Sequence, residues 1–256
     1  AALALGRAWL EAGEANRAKA MLAPLAQPGL PLADEAAEAI AQADRVLSLS
    51  RAATGYVRHL FDQFSADYDA RMLENLSYRA PGILRGLADL MLGTPENPLA
   101  VLDLGCGTGL AGEAFADLAG RLDGVDLSPR MIEKARARGL YDELAVGDLE
   151  SALDAGGEGY DLLIAADTLV YLGDLSHAFA GAARRLKPGG FFLFTVEKHS
   201  GEGYELGPKR RYRHGEAYLR AEAAQTGLEV MGIIDCSPRA EAGEPVAGLA
   251  LALLKI

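Results

Sequence analysis

Glycines alternate at positions 105, 107 and 109 in the stretch Val101–Leu110, VLDLGCGTGL, immediately after an apolar run that contains Asp103. Missing Cβ atoms at the end of a buried strand let backbone N–H groups approach a ligand and permit positive φ. A nucleotide can lie against such a loop, because ligands of open α/β sheets bind in the crevice at the carboxyl ends of the strands. Asp126 closes the next apolar run, where an ionised carboxylate can accept hydrogen bonds from both hydroxyls of a ribose. The loop also spells Gly107-x-Gly109-x-x-Gly112, a spacing that suits a dinucleotide, so two nucleotide classes remain open on these residues alone. A second concentration of reactive side chains lies between Glu197 and His214, with His199, Tyr204, Arg211 and Tyr212 among them. These groups could hold an acceptor or move a proton.

The elements that must position these residues alternate in type. Strands are expected at Leu99–Leu104, Arg121–Asp126, Glu143–Val146, Tyr160–Ala165 and Phe191–Val196, with helices reaching Leu118 and covering Pro129–Ala137 and Leu175–Leu186. Such alternation predicts a mostly parallel sheet with helices on both faces. Leu186–Gly190, LKPGG, reads as a tight turn, since proline and glycine suit one. After a helix near Glu216–Thr226, two strands, Leu228–Asp235 and Leu249–Ile256, follow with no helix between them. They imply an antiparallel hairpin at the sheet edge.

Ahead of the sheet the pattern is helical. Phe61, Phe64 and Tyr68 recur on one helical face within Tyr56–Asp69, and a further helix spans Pro81–Leu92, begun by proline and stopped by Gly93, Pro95 and Pro98. In the first fifty residues Leu5, Gly6, Trp9, Gly13, Ala18 and Leu22 fall at tetratricopeptide offsets, with Pro31 near the end. This segment is either a partner-binding repeat or a helical cap. The chain thus divides at 1–50, a helical repeat-like segment, 51–98, a helical lid, and 99–256, the α/β unit.

Composition narrows the partners. Of 256 residues half are hydrophobic, and the formal net charge is −11, which disfavours a large nucleic-acid footprint. No apolar run is long enough to span a bilayer, so no membrane partner is expected. Two cysteines, Cys106 and Cys236, supply neither a disulfide framework nor a four-ligand zinc site. The expected location is a reducing cytoplasm, and no metal is expected.

The motif of Asp103 followed by the three glycines, together with DLSPRM at Asp126–Met131 and the Gly147-Asp148-Leu149 step, resembles class I S-adenosylmethionine-dependent methyltransferases. That resemblance implies a Rossmann-like seven-stranded sheet with one reversed strand in its terminal hairpin, and S-adenosylmethionine as cofactor, leaving S-adenosylhomocysteine. It places Asp103, Gly105, Cys106, Gly107 and Gly109 in the cofactor-binding loop that brackets the adenosine. Asp126 and Leu127 follow at the ribose, Met131 on the adenine face or in the core, and Gly147, Asp148 and Leu149 around the adenine ring. Ala165 would begin the acceptor side, with Asp167, Thr168 and Tyr171 beyond it. The resemblance covers about Tyr56–Ile256. Within it FDQFSADYD, LSYRAP at Leu76–Pro81 and the string Arg239–Gly248 are most like bacterial methyltransferases that carry tetratricopeptide repeats. This similarity brings Tyr68 to the cofactor's carboxylate or sulfonium, with Phe64 closing the pocket beside the sulfonium. The implied activity is methyl transfer to a small molecule at O or N, with Tyr68, His199, Arg211 and His214 as acceptor or lid residues and the basic Lys209–Arg211 run suited to an anionic acceptor. Alternatives are a protein methyltransferase guided by the N-terminal helices, an inactive cofactor-binding regulator, and a nicotinamide dehydrogenase.

Overall fold

The structure, a computed structural model, describes residues 1–72 and 76–256; positions 73–75, within the expected lid, lie outside the described residues. Three helices come first: α1 (Ala2–Glu11), α2 (Ala15–Leu22) and α3 (Ala33–Leu47). They pack through small residues, with Ala18, Ala36 and Ala43 fully buried. Gly6 admits the Leu22 side chain, which would stand 2.5 Å from a Cβ at that position. That approach explains why a glycine sits in the middle of α1 despite its cost to helix stability.

The helix expected over Tyr56–Asp69 is broken into α4 (Thr54–Phe64), a 3-10 turn at Ser65–Asp67 and α5 (Tyr68–Ala70). Across the break Tyr68 still meets Phe61, ring centroids 6.1 Å apart, while Phe64 does not line the cavity that both share. Helix α6 (Ala80–Leu92) has proline in its first turn and packs Leu84 and Leu87 onto one face of the sheet.

The sheet consists of β1 (Leu99–Leu104), β2 (Ala119–Asp126), β3 (Glu143–Val146), β4 (Tyr160–Ala165), β5 (Leu186–His199), β6 (Tyr204–Leu206), β7 (Tyr212–Gly215), β8 (Leu228–Cys236) and β11 (Gly248–Lys255), with β9 (Ala240–Glu241) and β10 (Glu244–Pro245) forming a separate short ladder. Its main order is β3-β2-β1-β4-β5-β11-β8. Strands β1 to β5 are parallel, and β11 runs antiparallel to both β5 and β8. Helices α7 (Leu110–Phe115), α8 (Pro129–Arg138), α9 (Leu149–Asp154), α10 (Ser176–Arg185) and α11 (Glu216–Thr226) complete the crossovers. The order reverses beside β1, and the glycine loop opens at that switch point.

Two expectations change. The LKPGG segment is part of β5 rather than a free turn: Leu186 pairs with Tyr160, and the register shifts before Leu162 meets Phe191. Gly189 at φ 79° accommodates that irregularity. The polar insertion after β5 is not an open loop. Its strands β6 and β7 extend the sheet to nine strands, β7 lying parallel to the end of β5.

Candidate functional site

Each glycine of the loop answers a different demand. At Gly105, φ is 71° and a Cβ would lie 2.3 Å from Thr168 Cγ2. At Gly109, φ is 93° and a Cβ would press on Arg138 and Tyr141 at 3.0 and 3.1 Å. Gly112, the third glycine of the dinucleotide spacing, makes room for Tyr141, whose hydroxyl would be 2.2 Å from a Cβ. Only Gly107, at φ 54°, faces open space. Packing therefore accounts for three of these glycines and ligand access for one.

A cavity opens over Gly107, lined by Gly105, Cys106, Asp126, Leu127, Gly147, Asp148 and Leu149 on the sheet side. From above, Arg51, Val57, Phe61, Tyr68 and Tyr78 line it, and Asp167, Thr168 and Tyr171 border its far end. The Asp126 carboxylate accepts from Gly107 N at 2.9 Å and from Ser128 N at 2.8 Å. Burial raises its pKa, while these two backbone donors oppose the rise. A carboxylate has about four acceptor sites, so positions remain for two ribose hydroxyls. The residues present fit an adenosyl group: an open glycine, an acid at the end of β2 and a second acid at Asp148 converge on one apolar-walled space.

Asp148 caps α9 through Glu150 N at 3.0 Å, and its other oxygen receives Arg51. Arg51 also pairs with Glu150. Its strand-like strap is stitched to the α/β unit by Gly173 N to Ser50 O at 2.7 Å, Ala52 N to Tyr171 O at 2.8 Å, and Tyr212 Oη to Leu49 O at 2.8 Å. Nothing in the sequence around Arg51 signals this role, because its partners lie almost one hundred residues away.

Several expected contacts fall elsewhere. Asp103 is fully buried, accepting from Tyr141 Oη at 2.7 Å. Met131 is fully buried in α8, its N–H capped by Ser128 Oγ at 3.1 Å, and so fills the core. Ala165 is buried opposite Phe194; the next residue, Ala166, reaches the cavity. Phe64 does not line the cavity but lies under the Arg71 guanidinium, 4.7 Å from the ring centroid. Phe61 takes its place, edge-on to Tyr68 and Tyr171 at 6.1 and 5.6 Å. Tyr68 lines the cavity. Desolvation, with Asp167 nearby, pushes its phenol well above the usual range, so it stays protonated at neutral pH and is not a base.

His199, Arg211 and His214 are absent from the cavity wall among the described residues. His199 Nδ1 faces Glu205 at 3.1 Å. His214 is buried between β7 and the turn after β4, with Nε2 3.0 Å from Gly173 O; burial lowers its pKa to about 4, so at neutral pH the ring is uncharged and donates to that carbonyl. Arg211 pairs with Glu241. Lys209 reaches the same carboxylate at 2.7 Å. Burial works against ionisation of Glu241, yet the Lys209 bond and the Arg211 and Arg239 charges hold its pKa at about 2. Lys209 and Arg211 thus share the Glu241 carboxylate of β9, while Arg210 lies over the Tyr56 ring, 4.4 Å from its centroid.

Asp103 makes a pH prediction. Burial, opposed by the Tyr141 bond, lifts its pKa to about 7, against about 3.9 in an unfolded chain. Between those values the folded state retains a proton that the unfolded state releases, so stability falls as pH rises through the window. Asp103→Asn keeps an acceptor for Tyr141 and puts an amide at the Oδ1 position, which has no partner among the described residues. The variant is expected to exceed the native chain by on the order of 3 kcal/mol at pH 8, with the gap closing near pH 4. Thermal melts at the two pH values measure it, and a pH-independent gap would refute it.

Comparison with known proteins agrees with this geometry. Residues 101–190 match a family described as a methyltransferase domain. The chain is 34% identical over 148 residues to human methyltransferase-like protein 27, covering 56% of this chain and 58% of that protein. It is 27% identical over 168 residues to the ubiquinone biosynthesis O-methyltransferase of Methylobacterium sp. (strain 4-46), covering 60% and 67%. Each match thus spans about two thirds or less of the relative's own length. Among solved structures, the Burkholderia thailandensis 1,6-didemethyltoxoflavin-N1-methyltransferase, with its substrate and S-adenosylhomocysteine bound, superposes at a TM-score of 0.60 and 18% identity over 78% of this chain and 89% of that one. The Rossmann-like fold is shared with that N-methyltransferase, and residues 101–190 are similar to the methyltransferase-domain family. Among the described residues no acid, histidine or cysteine cluster could hold a metal, and no helix is long and apolar enough to cross a membrane.

Proposed function

We propose that the chain transfers a methyl group from S-adenosylmethionine to a small-molecule acceptor at oxygen or nitrogen. The observation that carries this reading is the meeting of Gly107, Asp126 and Asp148 in one cavity beneath the aromatic lid of Phe61 and Tyr68. In it, Asp126 holds the ribose hydroxyls, Asp148 and the Leu149 backbone face the adenine, and Tyr68 stands over the sulfonium end. The cofactor supplies an electrophilic methyl carbon. The chain's task is alignment and water exclusion, since an in-line displacement gains most from a fixed approach.

Residues 51–98 act here as the lid of a 99–256 catalytic unit, and residues 1–50 as an accessory segment resting on the β6–β7 insertion. Asn16 Nδ2 donates to Leu206 O at 3.4 Å, and Arg210 Nη2 to Leu10 O at 3.4 Å. The similarity to an O-methyltransferase of ubiquinone biosynthesis supports a small-molecule acceptor.

Calorimetric titration tests the reading. S-adenosylmethionine and S-adenosylhomocysteine are expected to bind with Kd values on the order of micromolar, about −8 kcal/mol, and NAD not measurably. Binding of NAD with neither adenosyl ligand would overturn it.

A further inference from the structure

The acceptor end of the cavity contains one carboxylate whose setting is more constrained than its position in a loop requires. Asp167 is the second residue beyond β4, and its φ of 58° lies in the left-handed region that non-glycine residues seldom occupy. Its N–H is pinned to Thr195 Oγ1 at 2.8 Å. One carboxylate oxygen receives Arg239 Nη1, and among the described residues no other donor reaches the group. Asp167 lines the same cavity as Gly107 and Asp126, with 9% of its side chain exposed.

Arg239 is built to hold that oxygen. It is 1% exposed, and it bonds Asp167, Glu197 and, through Nε at 3.1 Å, Glu241. A guanidinium with its donors fixed by three carboxylates cannot swing toward a ligand. With Arg211 on Glu241 as well, both cations behind this wall are already paired. Tyr78 donates to Ala166 O at 3.1 Å, and with Tyr68 and Tyr171 it gives this end flat aromatic walls.

We propose that Asp167 is the acceptor-side base, that Arg239 positions it, and that the acceptor is a neutral molecule presenting a phenolic or enolic hydroxyl. The proposal rests on the methyltransferase reading above. The acceptor hydroxyl donates to Asp167; as its oxygen bonds to the methyl carbon, the carbon–sulfur bond breaks and its electron pair stays on sulfur. The hydroxyl proton passes to Asp167 and from there to solvent, leaving a methyl ether and a neutral thioether. Asp167 touches the reacting atoms, whereas Arg239 acts only through Asp167.

The test needs no acceptor. Sinefungin, which carries an ammonium group where S-adenosylmethionine carries its sulfonium methyl, is compared with S-adenosylhomocysteine by calorimetry at pH 7.5. The native chain is expected to prefer sinefungin by about tenfold or more, the scale of a charge-assisted hydrogen bond. Asp167→Asn brings that ratio close to one while S-adenosylhomocysteine affinity stays within about twofold. Arg239→Lys, which retains the charge but loses the fork, gives an intermediate ratio and serves alone should the first variant misfold. An unchanged ratio in these variants would overturn the role of Asp167. Failure of the native chain to bind either ligand would instead overturn the methyltransferase reading.

Discussion

Asp126→Ala lowers the affinity for S-adenosylhomocysteine by about 100-fold or more, the equivalent of roughly 3 kcal/mol. Two effects combine in this loss. The ribose hydroxyls lose a charged acceptor, each such bond contributing about 1.5–3 kcal/mol where water is excluded. The empty site also loses the anchor that Asp126 provides to Gly107 N and Ser128 N, so the glycine loop and the start of α8 no longer share one partner. Asp126→Asn retains an acceptor and is expected to lose less than the alanine variant. Calorimetry with the ligand measures both, and a change under about fivefold for alanine would place the ribose elsewhere.

Arg239→Ala is expected to destabilise the chain by about 3–5 kcal/mol, because removing one partner of a buried ionic group leaves the others uncompensated. Asp167 and Glu197 have side chains only 9% and 6% exposed. Both lose a bonded cation at once, and Arg213 Nε, 3.5 Å from the far Glu197 oxygen, compensates only in part. For a chain of this length the thermal midpoint falls by about 10 °C without ligand. A shift below about 2 °C in a thermal melt would mean that water or the remaining arginines solvate both carboxylates. Asp167→Asn, which removes one of those charges and keeps the shape, should recover part of the loss when combined with it, a non-additivity expected of residues in direct contact.

The two variants differ in how visible their residues are in the sequence. Asp126 ends an apolar run next to a glycine loop, and both signals are local: strand burial sets the hydrophobic pattern, and the turn demands glycine. Asp148 is legible for the same reason, at the head of α9 after a strand end. Arg239 lies in an irregular stretch between β8 and β11, and its buried partners Glu197 and Asp167 are 42 and 72 residues away. Arg51 is still more remote, 97 residues from Asp148. Neither follows a period, so no local pattern marks it.

The misplaced residues follow the same division. Phe64 and Phe61 both belong to an apolar stripe, and the 3-10 turn at Ser65–Asp67 helped leave Phe61 rather than Phe64 beside Tyr68. His214 and Arg211 have reactive side chains, but β7 paired onto β5 and β6 onto β7, which turned the expected lid loop into sheet. Asp103 fits its motif yet points into the core, where Tyr141 and a tightly packed helix meet it.

The sequence by itself determined the alternating elements, the edge hairpin, the glycine loop and the acids Asp126 and Asp148 at strand ends, because these depend on burial period and backbone freedom over short spans. Tertiary structure alone decided which side chains meet in the cavity. Arg51 reaches Asp148 and Arg239 reaches Asp167 only after distant loops converge at the carboxyl edge of the sheet, where an ion pair depends on distance in space and leaves no period along the chain.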